Sequence, residues 1–325
     1  MNDITVKFVD FWKGFDQHDN FLLQILQGKY NVTVLDSDSD DTPEFLFCST
    51  FGHRYLDHHG CIRIYFTGEN DVPDFNMYDY GISFHDIDFA GRHLRFPLYV
   101  VYDEFRTIYS GATCIDMSDD ALLNRDFCSV VISNIHSSDP IRETIWNKIN
   151  SYRPVASGGR YRNNIGKPVP EKVEFICNYK FNLAIENSMV DGYTTEKIVE
   201  PFAALTVPIY WGNRKVSKEF NPEAFINISD FSTIDRAIDF IRTIDNNDSA
   251  YLKMLHSSKL TSYSDIDWDE RLASFLCGII DNRHRHVSDY GFQQIITTDQ
   301  RIKEFLYDRK LLRGISRRLL TRTDS

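Results

Sequence analysis

The 325-residue sequence predicts an α/β protein built from two Rossmann-like domains that face a central cleft. Three observations predict it. Short apolar or alternating runs recur along the chain, helical spacing falls between them, and the pattern restarts near Phe127. Strands alternating with helices at this interval form βαβ units, which close into parallel sheets covered on both faces. The length suits about two domains at roughly 100–200 residues each. The division expected is residues 1–122 for one unit and 123–325 for the other.

In the first unit, strands are expected over Ile4–Phe8, Val32–Leu35, Phe45–Cys48, Ile62–Phe66, Gly81–Phe84 and Leu94–Tyr99, each bounded by Gly, Asp, Asn or Pro. Between the first two, Asn20 opens a run of helical apolar spacing that ends at Gly28, a C-cap residue. The acidic stretch Asp36–Asp41 lacks the glycine and distal glutamate of a calcium loop and reads as a solvated connection. In the second unit, Cys128–Ser133 reads as a buried strand. A helix then starts at Asp139, with Pro140 in its first turn. After a Gly158-Gly159 turn come a strand Phe181–Ile185, a helix Glu196–Ala204, strands Val207–Tyr210 and Phe225–Ile228, and a helix Ile234–Ile244.

Charge excludes one large class of function. With 36 Lys and Arg against 47 Asp and Glu the chain carries −11, so a broad basic face for nucleic acid is not expected. Residues 301–325 invert that balance, with eight basic and three acidic residues on a chain whose first 300 carry −16. Ile302, Phe305, Leu312 and Leu319 recur there at helical spacing. Such a segment either packs its apolar stripe on the protein or lies on an anionic membrane surface. The amino terminus shows no basic and apolar leader pattern, and no apolar run approaches the ~18–20 residues of a membrane span. Six scattered cysteines without C-x-x-C spacing read as reduced core thiols. The sequons at Asn31, Asn227 and Asn247 read as chance matches. A cytoplasmic location follows as the expectation, with the tail allowing peripheral attachment to the cytoplasmic face of the inner membrane.

The densest candidate chemistry lies between Tyr179 and Asn213. Glu186, Asn187 and Ser188 should sit at the carboxyl end of a strand, where open α/β sheets bind ligands. Thr194 and Thr195 offer an N-cap for the helix carrying Glu196 and Lys197. Free N–H groups and a lysine at a helix start suit a phosphate, and Glu196 could hold a pair of ribose hydroxyls. An ordinary surface helix with a Glu–Lys pair has the same spacing. Upstream, Ser157-Gly-Gly-Arg-Tyr-Arg-Asn-Asn164 combines flexible backbone with Arg160 and Arg162, and a guanidinium can grip diphosphate oxygens in bidentate fashion. Glu69, just past a strand end in FTGEN, is placed to act as a general base. His58-His59 and His284-Arg-His286 match no zinc spacing and read as exposed histidines, so no metal ligands are assigned.

Together FTGEN, SGGRYRNN, YKFNLAIENS, GYTTEKIVEPF, VPIYWGN and FNPEAFINISDF resemble the signature of the α1,3/4-fucosyltransferases, in particular the bacterial members of glycosyltransferase family 10. The resemblance runs from FLFCSTFGHRYLDHHG to about Leu260. It implies a GT-B fold, GDP-β-L-fucose as donor, inversion at the anomeric centre, and lactose- or N-acetyllactosamine-type acceptors fucosylated at O3 of Glc or GlcNAc. The alternatives left open are α1,4 or dual regiospecificity, another nucleotide sugar, or a sugar-binding module without activity. The resemblance assigns Glu69 as catalytic base, Arg162 and Lys197 to the diphosphate, Glu196 to the ribose, and Asn187, Tyr193, Thr194 and Thr195 to the donor pocket. No cofactor is obligatory, with Mn²⁺ or Mg²⁺ stimulatory. Thr194 stands where relatives often carry Val or Ile, and the heptad repeats that some relatives place before a basic tail are absent.

Overall fold

The chain opens on β1 (Asp3–Val9), whose Ile4, Val6 and Phe8 pack inward. Asn20 then caps α1 (Phe21–Gln27), its Oδ1 accepting from Leu23 N at 2.9 Å. The strands β2 (Asn31–Val34), β3 (Phe45–Cys48), β4 (Ile62–Phe66), β5 (Tyr80–Ser83) and β6 (His93–Arg95) complete a parallel sheet in the order β2-β1-β3-β4-β5-β6. This computed structural model describes residues 1–112, 115–133, 138–261, 266–288 and 298, so the expected tail helix at 301–325 and Cys114 lie outside the described residues.

The chain continues through α2 (Asp103–Tyr109), α3 (Asp119–Leu123), β7 (Asp126–Val130), α4 (Ile141–Tyr152), β8 (Val155–Ser157), α5 (Lys172–Ile176), β9 (Tyr179–Ile185), α6 (Glu196–Ala203), β10 (Val207–Trp211), β11 (Ile226–Asn227), α7 (Ile234–Asp245), α8 (Asp248–His256) and α9 (Trp268–Asn282). The second sheet is also parallel, in the order β11-β10-β9-β7-β8. The two-unit α/β expectation thus agrees with the topology. In both sheets the second strand pairs outside the first and the third on its other side. The strand order therefore reverses between β1 and β3 and again between β7 and β9. Connections leave such a point in opposite directions and open a crevice at the carboxyl edge.

Several local expectations change. The run Leu94–Tyr99 is strand only through Arg95, because Pro97 lacks an N–H and a 3₁₀ turn (Leu98–Val101) follows. The run Phe225–Ile228 keeps two strand residues, since Asn227 Oδ1 accepts from Ser229 N and bends the chain into a turn. The acidic connection is more than solvated. Its carbonyls at Ser39 and Asp41 take the buried ammonium of Lys7 at 2.6 and 3.2 Å. His58 is buried rather than exposed, and its carbonyl accepts from the buried Arg63 at 2.5 Å. Among the described cysteines all are free thiols, and Cys177 is only half-buried.

The two units share one apolar seam. Tyr99 and Phe105 from the first pack with Phe202, Phe220 and Val216 from the second. Trp268, Leu272, Leu276, Ile279 and Ile280 of α9 join the same cluster. Thus α9 returns to the first sheet, where Tyr30 donates to Asp281 at 2.8 Å and Asp79 accepts from His286 N and Val287 N at 2.6 and 2.7 Å. The segment expected within the 123–325 unit therefore braces both halves. Arg95 and Glu219, both largely withdrawn from water, pair across the seam at 2.6 Å.

Candidate active site

β9 lies in the middle of the second sheet and delivers Glu186 and Asn187 to its carboxyl end. Glu186 is fully buried, which pushes its carboxyl up against the pull of Lys197. Its oxygens accept from Thr195 N at 2.8 Å and from Thr195 Oγ1 at 2.8 and 3.1 Å. Lys197 Nζ stands 3.2 Å from Glu186 and 3.3 Å from Glu196. Burial alone would favour a neutral amine, but Glu186 and then Glu196 outweigh it and keep the ammonium. Glu196 shows the converse. Burial pushes it up, yet Lys197 and Lys172 hold it below the usual carboxylate range.

Thr195 occupies the N-cap of α6, but its hydroxyl is turned to Glu186, so no side chain caps the first turn. An uncapped helix start with a lysine beside it is suited to an anion. The loop before it is fixed by Asn213. Its Oδ1 accepts from Gly192 N at 2.8 Å and its Nδ2 donates to Thr194 Oγ1 at 3.0 Å. Gly192 has φ +89, and a Cβ there would lie 2.9 Å from Phe84 O, so only glycine fits. This geometry buries Tyr193 against Phe84, with ring centroids 5.0 Å apart.

Asn187, Tyr193, Thr194, Thr195, Glu196 and Lys197 are thus brought together. Arg162 is placed differently. Its guanidinium ion-pairs with Glu143, donates to Asn147 Oδ1 at 2.8 Å and to Tyr161 Oη at 3.0 Å, and lies 4.5 Å from the Trp146 ring. It is held by the flank of α4, and no contact among the described residues joins it to Lys197. The arginine that reaches the strand end is Arg142, in the first turn of α4. It is 2% exposed, and its Nη1 donates to Asn187 Oδ1 at 3.0 Å. Burial lowers its pKa, and the charge of Glu186 and then Tyr193 opposes that. Its Nε is buried with no protein partner. A buried guanidinium with an unused donor at the β7–β9 crevice is a candidate anion contact, and one that sequence reading did not name.

Glu69 faces this site from the first sheet, exposed, just beyond β4. Its backbone N–H donates to Thr67 Oγ1 at 3.0 Å, and the neighbouring Asn70 Nδ2 donates to Ser188 Oγ at 2.9 Å. That bond fastens the Glu69 turn to the turn after β9. Burial, then Glu186, push the Tyr193 phenol up, and Glu69 adds to them. Beside Glu69 lies a hollow of about 360 Å³, walled by Trp12, Phe51, Leu98, Val101 and Tyr102. On the donor side Glu186 and Glu196 both converge on Lys197 Nζ. Among the described residues no group of three metal-binding side chains gathers.

A family model for the α-(1,3)-fucosyltransferase FucT N-terminal domain matches residues 6–102, and one for the carboxyl-terminal part of glycosyltransferase family 10 (fucosyltransferase) matches residues 124–298. The chain belongs to this fucosyltransferase family. It is 33% identical over 306 residues to the α-(1,3)-fucosyltransferase FucT of Helicobacter pylori, a match covering 81% of this chain and 63% of that protein's length. A crystal structure of an α1,3-fucosyltransferase with GDP-fucose superposes with a TM-score of 0.74 at 29% identity, covering 89% of this chain and 94% of the other. One with GDP gives the same score and identity over 88% and 92%. The GT-B fold expected of the family is therefore the fold of this chain. Both sheets and the cleft between them belong to it.

Proposed function

We propose that this protein is an inverting α1,3-fucosyltransferase that moves L-fucose from GDP-β-L-fucose to O3 of Glc or GlcNAc in lactose- or N-acetyllactosamine-type acceptors. One observation carries the reading. At the carboxyl edge of β9, Asn187, Glu196, Lys197 and Arg142 form a donor-type anion site, and Glu69 faces it from the other sheet. Family membership and the GDP-fucose in a solved relative support the choice of donor.

The chemistry follows from the arrangement. The diphosphate lies between Lys197, Arg142 and the open first turn of α6, with Glu196 on the ribose. As the bond from C1 to the phosphate oxygen breaks, negative charge grows on GDP. Fixed cations there stabilise the transition state more than the ground state. Glu69 takes the proton of the acceptor hydroxyl while its oxygen bonds to C1 from the opposite face. One displacement then converts the β-linked donor into an α-linked product. Lys197 is the cation that meets the leaving group. The acceptor rests on the first unit and the donor on the second.

Turnover measured in parallel with GDP-fucose, GDP-mannose and UDP-sugars tests the donor assignment. GDP-fucose should exceed the others by at least about a hundredfold, since hydrogen-bonding sites reject misfitting analogues strongly. Equal rates with GDP-mannose would overturn it.

For the tail, we propose that residues 301–325 attach the protein peripherally to an anionic membrane surface, as expected of a cytoplasmic enzyme at the inner membrane. The local charge of +5 supports this, each Lys or Arg near such a surface contributing about 1 kcal/mol. Removing residues 311–325, with four of the eight basic residues, should reduce sedimentation with phosphatidylserine vesicles and leave fucosyl transfer intact. A truncated protein that loses activity or fold would contradict this.

A further inference from the structure

Trp12 separates two hollows. One contains Glu69, and the other, of about 520 Å³, is lined by Asp10, Phe15, Asp16, Gln17, His18 and Arg54. This second hollow lies at the carboxyl end of β1, the switch point of the first sheet, where the topology opens a crevice. Trp12 is 40% exposed, yet its ring is held edge-on to Phe15 at 5.0 Å and tilted against Phe11 at 5.7 Å. Two phenylalanines hold the ring, which lines both hollows.

The walls are built rather than loose. Asp10 takes φ +62, a left-handed conformation unusual for aspartate, and its carboxylate accepts from Arg54 N and Tyr55 N at 3.0 Å each. Gly52 makes room for it, since a Cβ there would lie 2.2 Å from Asp10 Oδ1. Asp16 Oδ1 accepts from His18 N at 2.8 Å, Gln17 Oε1 accepts from Ser37 N at 2.9 Å, and Gln17 Nε2 meets His18 Nε2 at 3.3 Å. The lining mixes acids, a histidine, an arginine and an amide, with no cluster of one sign. That suits a neutral, hydroxyl-rich ligand and not a phosphate. An aromatic platform with few, fixed polar groups around it is how a sugar's apolar face and its hydroxyls are both satisfied.

We propose that this hollow is an extended acceptor subsite, so that the acceptor crosses Trp12 and a sugar beyond the reacting disaccharide is held by Asp16, Gln17 and His18. The proposal rests on the fucosyltransferase reading above. It requires oligosaccharide acceptors to be used in preference to disaccharides.

The test compares N-acetyllactosamine with a tetrasaccharide of two such units at saturating GDP-fucose. The tetrasaccharide should show kcat/KM roughly tenfold higher through a lower KM at similar kcat, because the added contacts are the same in ground and transition states. The double variant Asp16→Ala, His18→Ala should bring that ratio toward one, while Trp12→Ala should raise KM for both acceptors. A wild-type ratio near one, or a ratio unchanged in the double variant, would overturn the subsite. If neither acceptor is fucosylated, the function proposed above fails instead. Calorimetric titration of the tetrasaccharide into wild type and double variant then still decides, with weakened binding in the variant supporting the subsite and equal binding overturning it.

Discussion

Arg142 is withdrawn from water beside Asn187, whereas Arg162 rests on the flank of α4 among Glu143, Asn147 and Trp146. The glycines before Arg160 and Arg162 pointed to both arginines, and the family resemblance singled out Arg162. Arg142 reads as one residue of an ordinary helix start, since only the crossover from β7 through α4 to β8, with β9 paired on the other side of β7, carries it to the end of β9. Glu69, Asn187, Glu196 and Lys197 were visible because each follows a strand end or opens a helix. Calorimetric titration with GDP separates the two arginines. Arg142→Ala and Lys197→Ala should each weaken binding about ten- to a hundredfold, the scale of a charge-assisted hydrogen bond. Arg162→Ala should change it less than about threefold, and the reverse ranking would contradict the placement. For the base, Glu69→Gln should lower turnover by about 10²–10⁴ and leave GDP affinity unchanged. Wild-type turnover in that variant would remove Glu69 from the mechanism.

Strands with bounded apolar runs, such as β3, β4 and β9, could be read from the sequence. The three-residue β8 could not, because pairing with β7 makes it a strand rather than any pattern of its own, and of the expected run Phe225–Ile228 only Ile226 and Asn227 pair, with β10. α9 was missed for a related reason, as its apolar stripe has meaning only against the distant first sheet. At this scale α6 makes two testable demands. A Cβ on Gly212, after β10, would lie 2.5 Å from Glu186 Cγ, so Gly212→Ala should displace Glu186 and with it Lys197. Overpacking of that kind costs about 1–3 kcal/mol, and GDP affinity should fall along with Tm. Unchanged affinity would show that Glu186 does not position the lysine.

The second demand concerns pH. Burial, then Glu196, push the Glu200 carboxyl up to about 7 against its pairing with Lys172 at 2.6 Å. Its folded pKa exceeds the unfolded value near 4.3, so the folded state binds this proton more tightly. The resulting stability is present below about 4.3 and is lost as pH rises through about 7. Glu200→Gln should therefore flatten urea stability between pH 5 and 8, by on the order of 1–3 kcal/mol. Parallel wild-type and variant curves would contradict this.

Across the whole molecule, the proposed function depends on two units held together by one seam. The seam of Tyr99, Phe105, Phe202 and Phe220, the Arg95–Glu219 pair and the returning α9 keep Glu69 opposite Lys197. The two-unit architecture was legible from the restart of the strand–helix pattern, but the bracing by α9 was not. The central claim is that one carboxylate and one displacement connect the two halves of this cleft. It is tested most directly by incubating the full chain with GDP-β-L-fucose and N-acetyllactosamine and reading the anomeric proton of the transferred sugar by NMR. An α-linked fucose at O3 of GlcNAc is the result predicted. A β-linked product, or release of free fucose with no transfer, would contradict it.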